Sequence, residues 1–105
     1  MCGIVSTLNH TDDVVRGMLR EIEHRGKDNR GTYQSGNVHL GHNRLSINDV
    51  SEAGNQPFVW NDYALVVNAE IWNYPELRKE YEERGYSFFS NSDSEIILYL
   101  YKENE

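Results

Sequence analysis

The 105-residue sequence has one cysteine, no apolar run long enough to span a membrane and no surplus of basic residues. A single cysteine excludes an internal disulfide. The four histidines lack the spacing of metal ligands, so no metal site is expected. The amino terminus has no basic segment followed by an apolar one, which argues against a secretory signal. These absences predict a cytoplasmic protein that does not bind a membrane.

Acidic residues outnumber basic ones by 17 to 10, which gives a net charge of -7. The excess lies in the second half, because residues 1–52 carry a net charge of -1 and residues 53–105 carry -6. This balance argues against nucleic acid as a partner. The length corresponds to a single domain.

The first half of the sequence reads as strand, helix, loop and hairpin. Residues 2–8 are a predicted strand, and residues 12–23 a predicted helix with one apolar face. Residues 24–31 contain two glycines and no apolar side chain, and this composition predicts a surface loop. A turn of serine, glycine and asparagine between residues 32–34 and 38–42 predicts a β-hairpin.

The second half reads as one strand followed by two helices. The most apolar run, residues 63–67, is the predicted central strand. Asn73 is the predicted start of a helix that ends at Gly85. Ser92 and Glu95 have the spacing of a capping box before a last helix. Strands with helices between and after them predict an α+β fold.

Cys2 is a candidate nucleophile because it directly follows Met1 and its small side chain permits removal of that methionine. The residue would then carry a thiol and a free α-amine, and the amine can accept the proton of the thiol. Such amines titrate at roughly 7.7–8.0 and thiols at about 8.5, so the two share one proton almost evenly near neutrality. The alternative is that position 2 merely tolerates a small residue.

Further stretches carry groups that suit binding or catalysis. Arg44, at a predicted strand end, has a guanidinium that can bind a carboxylate, or is an ordinary surface arginine. Asn68 and the backbone N–H of Ala69 are the donors that an oxyanion hole needs, or they form a strand-ending turn. Asp93, in the first turn of the last helix, binds an ammonium group or stabilises the helix dipole. Residues 25–28 form an active-site loop or a solvated connection.

Taken together and in order, seven motifs resemble the class II glutamine amidotransferases, which are N-terminal-nucleophile enzymes. The likeness is closest to the glutaminase domain of asparagine synthetase and covers nearly the whole chain. The motifs are Met1-Cys2-Gly3-Ile4, His24-Arg25-Gly26-Lys27-Asp28, His42-Asn43-Arg44-Leu45-Ser46-Ile47-Asn48-Asp49, Gly54-Asn55-Gln56-Pro57, Asn68-Ala69-Glu70-Ile71-Trp72-Asn73, Glu76-Leu77-Arg78 and Ser92-Asp93-Ser94-Glu95.

The resemblance implies that the chain hydrolyses L-glutamine to glutamate and ammonia without a cofactor or a metal. It implies four roles in this reaction. The nucleophile is Cys2, the oxyanion donors are Asn68 and Ala69, the α-carboxylate ligand is Arg44, and the α-ammonium ligands are Asp93 and Glu70.

The resemblance also implies an αββα sandwich over residues 1–105, truncated or minimal and incomplete at its C-terminal end. No SGG-type pyrophosphate-binding loop occurs, so no ATP site is predicted, and the ammonia would pass to a separate synthetase domain or chain. Three alternatives remain. They are a degenerate domain that binds glutamine or a partner without turnover, a structural product of a split gene, and an amidotransferase that serves a sugar phosphate.

Four positions depart from the family pattern. Ala69 replaces the usual glycine after the oxyanion asparagine, and a methyl group there would cost stability or binding if the glycine had a positive φ or let the substrate approach closely. Lys27, Asn55 and Trp72 replace the usual proline, histidine and tyrosine of their motifs. The loss of proline is expected to loosen the loop at Lys27.

Overall fold

The part of the chain that the structure describes contains one strand and one helix, then four strands and then two helices, which confirms the predicted α+β class. The computed structural model describes residues 1–47 and 49–105, so Asn48, which belongs to the third sequence motif, lies outside the described residues. Within those two ranges, no helix is both long and apolar enough to cross a membrane.

A three-stranded antiparallel sheet carries the first half of the fold. β3 (Val38–Arg44) lies between β1 (Gly3–Leu8) and β2 (Asn29–Ser35). β2 and β3 form the predicted hairpin, and Gly36 at its turn has a φ of 58° that a glycine adopts without strain. In this sheet, β3 pairs with β2 along its whole length and with β1 from Val38 to Asn43.

The prediction of a loop through residue 31 was wrong, because β2 begins at Asn29. Asn29 pairs with Arg44, and Gly31 pairs with His42. Ladder hydrogen bonds use backbone groups only, so a polar segment joins the sheet when its neighbour extends far enough. A Cβ atom at Gly31 would lie 2.1 Å from the carbonyl oxygen of Gln56, so glycine allows the next segment to cross the strand closely.

One helix covers one face of this sheet. Helix α1 (Asp12–Glu21) ends two residues earlier than predicted, and residues Glu23–Arg25 continue as a 3-10 turn. Its apolar stripe places Leu19 in full burial against the sheet. A Cβ atom at Gly41 of β3 would lie 2.9 Å from a methyl group of Leu19, so the glycine leaves room for that side chain.

The predicted central strand at residues 63–67 was wrong. Only Tyr63–Leu65 forms a strand, β5, and it pairs only with β4 (Phe58–Trp60) in a separate two-stranded sheet. All three residues of β5 are half-buried. The run is apolar because Tyr63 and Leu65 pack against the helical core, and not because sheets flank it on both sides.

An aromatic core joins the two-stranded sheet to two helices, α2 (Tyr74–Glu83) and α3 (Ile96–Asn104). The ring of Tyr99 is fully buried at its centre, 5.0 Å from the ring of Trp60 and 4.9 Å from that of Tyr86. Both helices were predicted, and α2 ends as expected before Gly85, whose φ is 99°. Aromatic packing therefore stabilises the second half of the chain.

The capping-box prediction for Glu95 was wrong. The Ser92 side chain accepts a hydrogen bond from the Ser94 backbone, but Glu95 turns inward. Its carboxylate is fully buried and accepts hydrogen bonds from the backbone N–H groups of Phe89 and Ser90 and from the hydroxyl of Tyr99. Burial, followed by this hydrogen bond to Glu95, raises the pKa of Tyr99. Glu95 thus holds the segment before the last helix against the core.

The second face of the three-stranded sheet is apolar and largely uncovered. Ile4 pairs with His42 and Leu8 with Val38, so these side chains share one face. Leu8 is 59% exposed, whereas His42 at the other end of the face is fully buried. Only the end near His42 is therefore covered by the rest of the described chain.

We expect His42 to make stability depend on pH. Neither ring nitrogen has a hydrogen-bond partner among the described residues, and burial lowers the pKa of His42 to about 4, against a smaller opposing effect of the Val67 backbone. The unfolded chain binds this proton near pH 6.5 and the folded chain only near pH 4, so stability falls as the pH falls between these values. For His42 alone, the free energy of unfolding should drop by about 2 kcal/mol from pH 7 to pH 5.

Urea unfolding followed by tryptophan fluorescence at both pH values measures this effect. The variant His42→Leu should lose the His42 part of the pH dependence. The same substitution at the exposed His10 is the matched control and should keep it. Equal pH dependence in wild type and His42→Leu would contradict the prediction.

Candidate active site

A cavity of about 330 Å³ lies where the ends of β1 and β3 meet the segment after β5 and the turn before α3. All six residues proposed from the sequence line it, namely Cys2, Arg44, Asn68, Ala69, Glu70 and Asp93. Met1, Leu45, Ile47, Asp49, Gly54, Val67, Ser92 and Ser94 complete the lining. Four separate parts of the chain therefore contribute groups to one cavity.

Hydrogen bonds hold Cys2 at the edge of this cavity. The Arg25 Nε donates to the Cys2 carbonyl oxygen at 2.9 Å, and the backbone N–H of Cys2 donates to Asn68 Oδ1 at 3.3 Å. The backbone N–H of Leu45 donates to the Cys2 sulfur at 3.3 Å, and the thiol lies 3.6 Å from the Leu45 carbonyl oxygen. Cys2 is half-buried, so its sulfur is restrained and still reachable.

The segment containing Asn68 and Ala69 supplies donors beside Cys2. Because Asn68 Oδ1 accepts from Cys2, the Nδ2 group of the same amide remains available for another acceptor. Among described non-glycine residues, positive φ values occur only at Asn9 and Asn61. Ala69 therefore has an ordinary backbone conformation, and the expected strain from its methyl group does not arise.

Arg44 is buried at the end of β3 with its guanidinium anchored. Its Nη1 donates to the Ser51 carbonyl oxygen at 2.5 Å and to Asn55 Oδ1 at 2.7 Å. A Cβ atom at Gly54 would lie 2.3 Å from Arg44 Nη2, so only glycine leaves room for the guanidinium. Asn55, which stands where the family has histidine, thus supports Arg44. These bonds use only Nη1.

The two carboxylates proposed from the sequence, Asp93 and Glu70, line the cavity in different environments. Asp93 is 5% exposed, and its Oδ2 accepts a hydrogen bond from the Ile71 backbone at 2.7 Å. Glu70 is exposed. Arg44 and the three carboxylates that line the cavity, those of Asp49, Glu70 and Asp93, place charges of both signs around it, a pattern that suits a zwitterionic amino acid.

The loop at residues 25–28 supports the cavity from behind and does not line it. The backbone N–H of Asp28 donates to the Arg44 carbonyl oxygen at 2.9 Å, and its side chain accepts from the Ser46 backbone at 2.7 Å. Lys27 in this loop and Trp72, which is 85% exposed, both depart from the family pattern, and neither is among the residues that line the cavity.

Asp49 is a buried cavity residue that the sequence reasoning missed. Its Oδ1 accepts hydrogen bonds from the backbone and the hydroxyl of Ser51, and its Oδ2 accepts from the Asn91 backbone. Hydrogen bonds from Ser51, and then from Asn91, lower the pKa of Asp49 below its ordinary value. The aspartate two residues before a serine could have indicated the turn, but not the contact with residue 91.

The described part of the chain contains no cluster of three or more histidine, cysteine, aspartate or glutamate side chains that could hold a metal ion. The groups that line the cavity suit nucleophilic chemistry on a small polar molecule. They are a restrained thiol, an amide, an arginine and carboxylates.

Comparison with known proteins shows to which class of protein the chain belongs. The sequence profile of the glutamine amidotransferase domain matches residues 1–104. Among curated relatives, asparagine synthetase B (glutamine-hydrolysing) of Escherichia coli strain K12 is 43% identical over 98% of this chain and 20% of its own length. Asparagine synthetase 1 (glutamine-hydrolysing) of Bacillus subtilis strain 168 is 39% identical over 97% of this chain and 18% of its own length. Asparagine synthetase 1 (glutamine-hydrolysing) of Arabidopsis thaliana is 40% identical over 98% of this chain and 18% of its own length.

The chain therefore belongs to the glutamine amidotransferase domain family, as the sequence motifs predicted. Within this family it is similar to the glutamine-hydrolysing asparagine synthetases. The chain spans about a fifth of the length of these relatives.

We expect Gly54→Ala to destabilise the fold by displacing Arg44. The new methyl group would meet Arg44 Nη2 at 2.3 Å and the Cβ atom of Asp49 at 3.2 Å. Such overpacking typically costs about 1–3 kcal/mol of unfolding free energy. Gly17→Ala in α1 is the matched control, because its nearest neighbour is 3.8 Å away, and it should stabilise the helix by about 0.5–1 kcal/mol. Urea unfolding measures both, and equal stability of the two variants would refute the expected clash.

Proposed function

We propose that residues 1–105 form the glutaminase part of an asparagine-synthetase-like amidotransferase, which hydrolyses L-glutamine to glutamate and ammonia. The observation that supports this most is that one cavity is lined by Cys2, Asn68, Arg44 and Asp93. A thiol, an oxyanion donor and charges of both signs in one small cavity match the reactive amide and the zwitterionic end of glutamine.

Removal of Met1 is required by this mechanism. While Met1 is attached, the nitrogen of Cys2 is a peptide nitrogen, whose lone pair is delocalised and cannot accept a proton. Once Met1 is removed, that nitrogen becomes an α-amine next to its own thiol, and it can take the thiol proton. It retains hydrogens for the contact with Asn68 Oδ1, so the anchoring of Cys2 does not depend on Met1.

The reaction then proceeds in two stages. The Cys2 thiolate attacks the side-chain amide carbon of glutamine, and the oxyanion that forms is stabilised by Asn68 Nδ2 and the Ala69 backbone N–H. The α-ammonium of Cys2 donates its proton to the departing nitrogen, and ammonia leaves. Water, deprotonated by the same amine, attacks the thioester, and glutamate departs as the thiol is restored.

Substrate recognition in this proposal uses charge at both ends of the α-amino acid. Arg44 binds the α-carboxylate, and burial of the guanidinium strengthens this ionic hydrogen bond. Asp93 binds the α-ammonium with help from Glu70. The ordinary φ of Ala69 removes the backbone-strain argument for a degenerate domain that binds glutamine without turnover.

We also propose that the fold is part of an αββα sandwich. The apolar face that carries Ile4, Leu8 and Val38 is exposed here, and a second layer of strands would bury it. The relatives are about five times as long as this chain, so further strands would complete the domain. The ammonia would be consumed by a synthetase domain or a separate chain, and we place the reaction in the cytoplasm.

The proposed function predicts that the active chain begins at Cys2. Intact mass should show loss of Met1, and a diazo-ketone analogue of glutamine should label Cys2. Wild type should release glutamate from L-glutamine. Cys2→Ala should abolish release but still bind glutamine in calorimetry, because the thiol forms bonds only during the reaction. Glutamate release by Cys2→Ala, or by a chain that retains Met1, would refute the nucleophile assignment.

A second prediction concerns Asn68. Asn68→Asp keeps an oxygen for the Cys2 backbone but removes the Nδ2 donor, so kcat should fall about 100- to 1000-fold. The KM should change little, because the oxyanion exists only in the transition state. Asn104→Asp, an exposed asparagine in α3, is the matched control and should behave as wild type. A loss confined to KM would contradict the oxyanion role.

A further inference from the structure

Asp49 is a buried carboxylate of the cavity that the proposed mechanism does not use. It is 6% exposed, and three donors converge on its two oxygens. Three charge-assisted hydrogen bonds offset the cost of removing a carboxylate from water and hold the group in one orientation. The lowered pKa agrees with an ionised carboxylate at neutral pH, when both oxygens can accept.

The partners of Asp49 lie on the two segments that carry the charged ligands of the cavity. Its Oδ1 binds the Ser51 backbone at 2.8 Å, and the carbonyl oxygen of Ser51 accepts from Arg44 Nη1. Its Oδ2 binds the Asn91 backbone at 2.7 Å, and the turn that carries Asp93 begins two residues later. The Asp49 carboxylate therefore links the segment of Ser51, which holds Arg44, to the segment of Asn91, which precedes Asp93.

We propose that Asp49 is a positioning residue that sets the separation between Arg44 and Asp93, and so makes the cavity specific for a free α-amino acid. This inference rests on the proposed function, in which Arg44 binds the α-carboxylate and Asp93 the α-ammonium. Asp49 does not itself bind the substrate, since its oxygens are occupied by protein donors. It acts through the two loops it joins.

A fixed separation affects only a substrate that uses both ligands at once. L-glutamine carries both charges on one carbon, so a shift of either loop misaligns one contact when the other is made. A substrate with only one of the charges can follow the loop that binds it. Loss of Asp49 should therefore weaken the binding of glutamine selectively, whereas a general loss of structure would weaken the binding of all three substrates alike.

The test compares three amides in wild type and Asp49→Asn. They are L-glutamine, 4-carbamoylbutanoate, which lacks the α-ammonium, and 4-aminobutanamide, which lacks the α-carboxylate. Asparagine cannot accept at both side-chain atoms, so Asp49→Asn loses at least one link. We expect kcat/KM for glutamine to fall about 10- to 100-fold, mainly through KM, and that for the truncated amides to fall less than about threefold.

Asp62→Asn, at an exposed aspartate in the β4–β5 turn, is the matched control and should leave all three values unchanged. Equal losses for all three amides in Asp49→Asn would overturn the proposal, as would an unchanged KM for glutamine. If Asp49→Asn does not fold, Ser51→Ala serves instead, since it removes only the hydroxyl bond to Oδ1. In Ser51→Ala, kcat/KM for glutamine should fall more than that for the truncated amides, though by a smaller factor than in Asp49→Asn. The proposal fails if it does not.

The failure of the proposed function is distinguishable from that of the positioning role. If wild type binds glutamine without releasing glutamate, the hydrolase proposal fails, and calorimetric Kd values for the three amides then decide the role of Asp49 by the same criterion. If wild type releases glutamate but Asp49→Asn shows no selective loss, only the positioning role fails. If wild type neither binds nor hydrolyses glutamine, both fail.

Discussion

The register between β1 and β3 is the constraint on which the site depends. Gly3 pairs with Asn43, so Cys2 comes to lie beside Leu45 and next to Arg44. A slip by one residue would turn every side chain of β1 to the opposite face and would expose Val5, which now packs under α1. The packing of α1 on β1 therefore fixes the position of the Cys2 thiol relative to the Arg44 guanidinium.

The buried charged groups that line the cavity are each held by hydrogen bonds. Arg44 is anchored by Ser51 and Asn55, and Asp93 by the Ile71 backbone. Most of these bonds go to backbone groups of irregular segments, because the strands and helices have already used their own. The segments around the cavity thus derive their shape from the same side chains that would bind a substrate.

Much of the secondary structure was predictable from local pattern, and the errors share one physical origin. The hairpin and all three helices follow turn residues and apolar periodicity. The run at residues 63–67 was assigned to the sheet centre from its apolar character, yet it packs on aromatic rings. Glu95 has capping-box spacing, yet the buried hydroxyl of Tyr99 and two backbone N–H groups attract it inward. In both cases tertiary contacts outweighed local preference.

The substitutions within the motifs are explained only in three dimensions. The methyl group of Ala69 causes no backbone strain, because the φ of this residue is not positive. Asn55 had no assignable effect, and it proves to be a ligand of Arg44. Neither conclusion depends on the residue type alone, because a methyl group or an amide is harmful or useful according to the atoms that it meets.

The sequence by itself determined the α+β class, the family and six of the residues that line the cavity, because these follow from periodic burial and from the order of the family motifs. Only the tertiary structure decided that Arg25 holds Cys2, that Asn55 and Gly54 surround the Arg44 guanidinium, and that Asp49 accepts a hydrogen bond from Asn91, 42 positions along the chain. The reason is physical. Hydrogen bonds and close approaches between distant segments depend on where packing brings the chain, and no local pattern records that position.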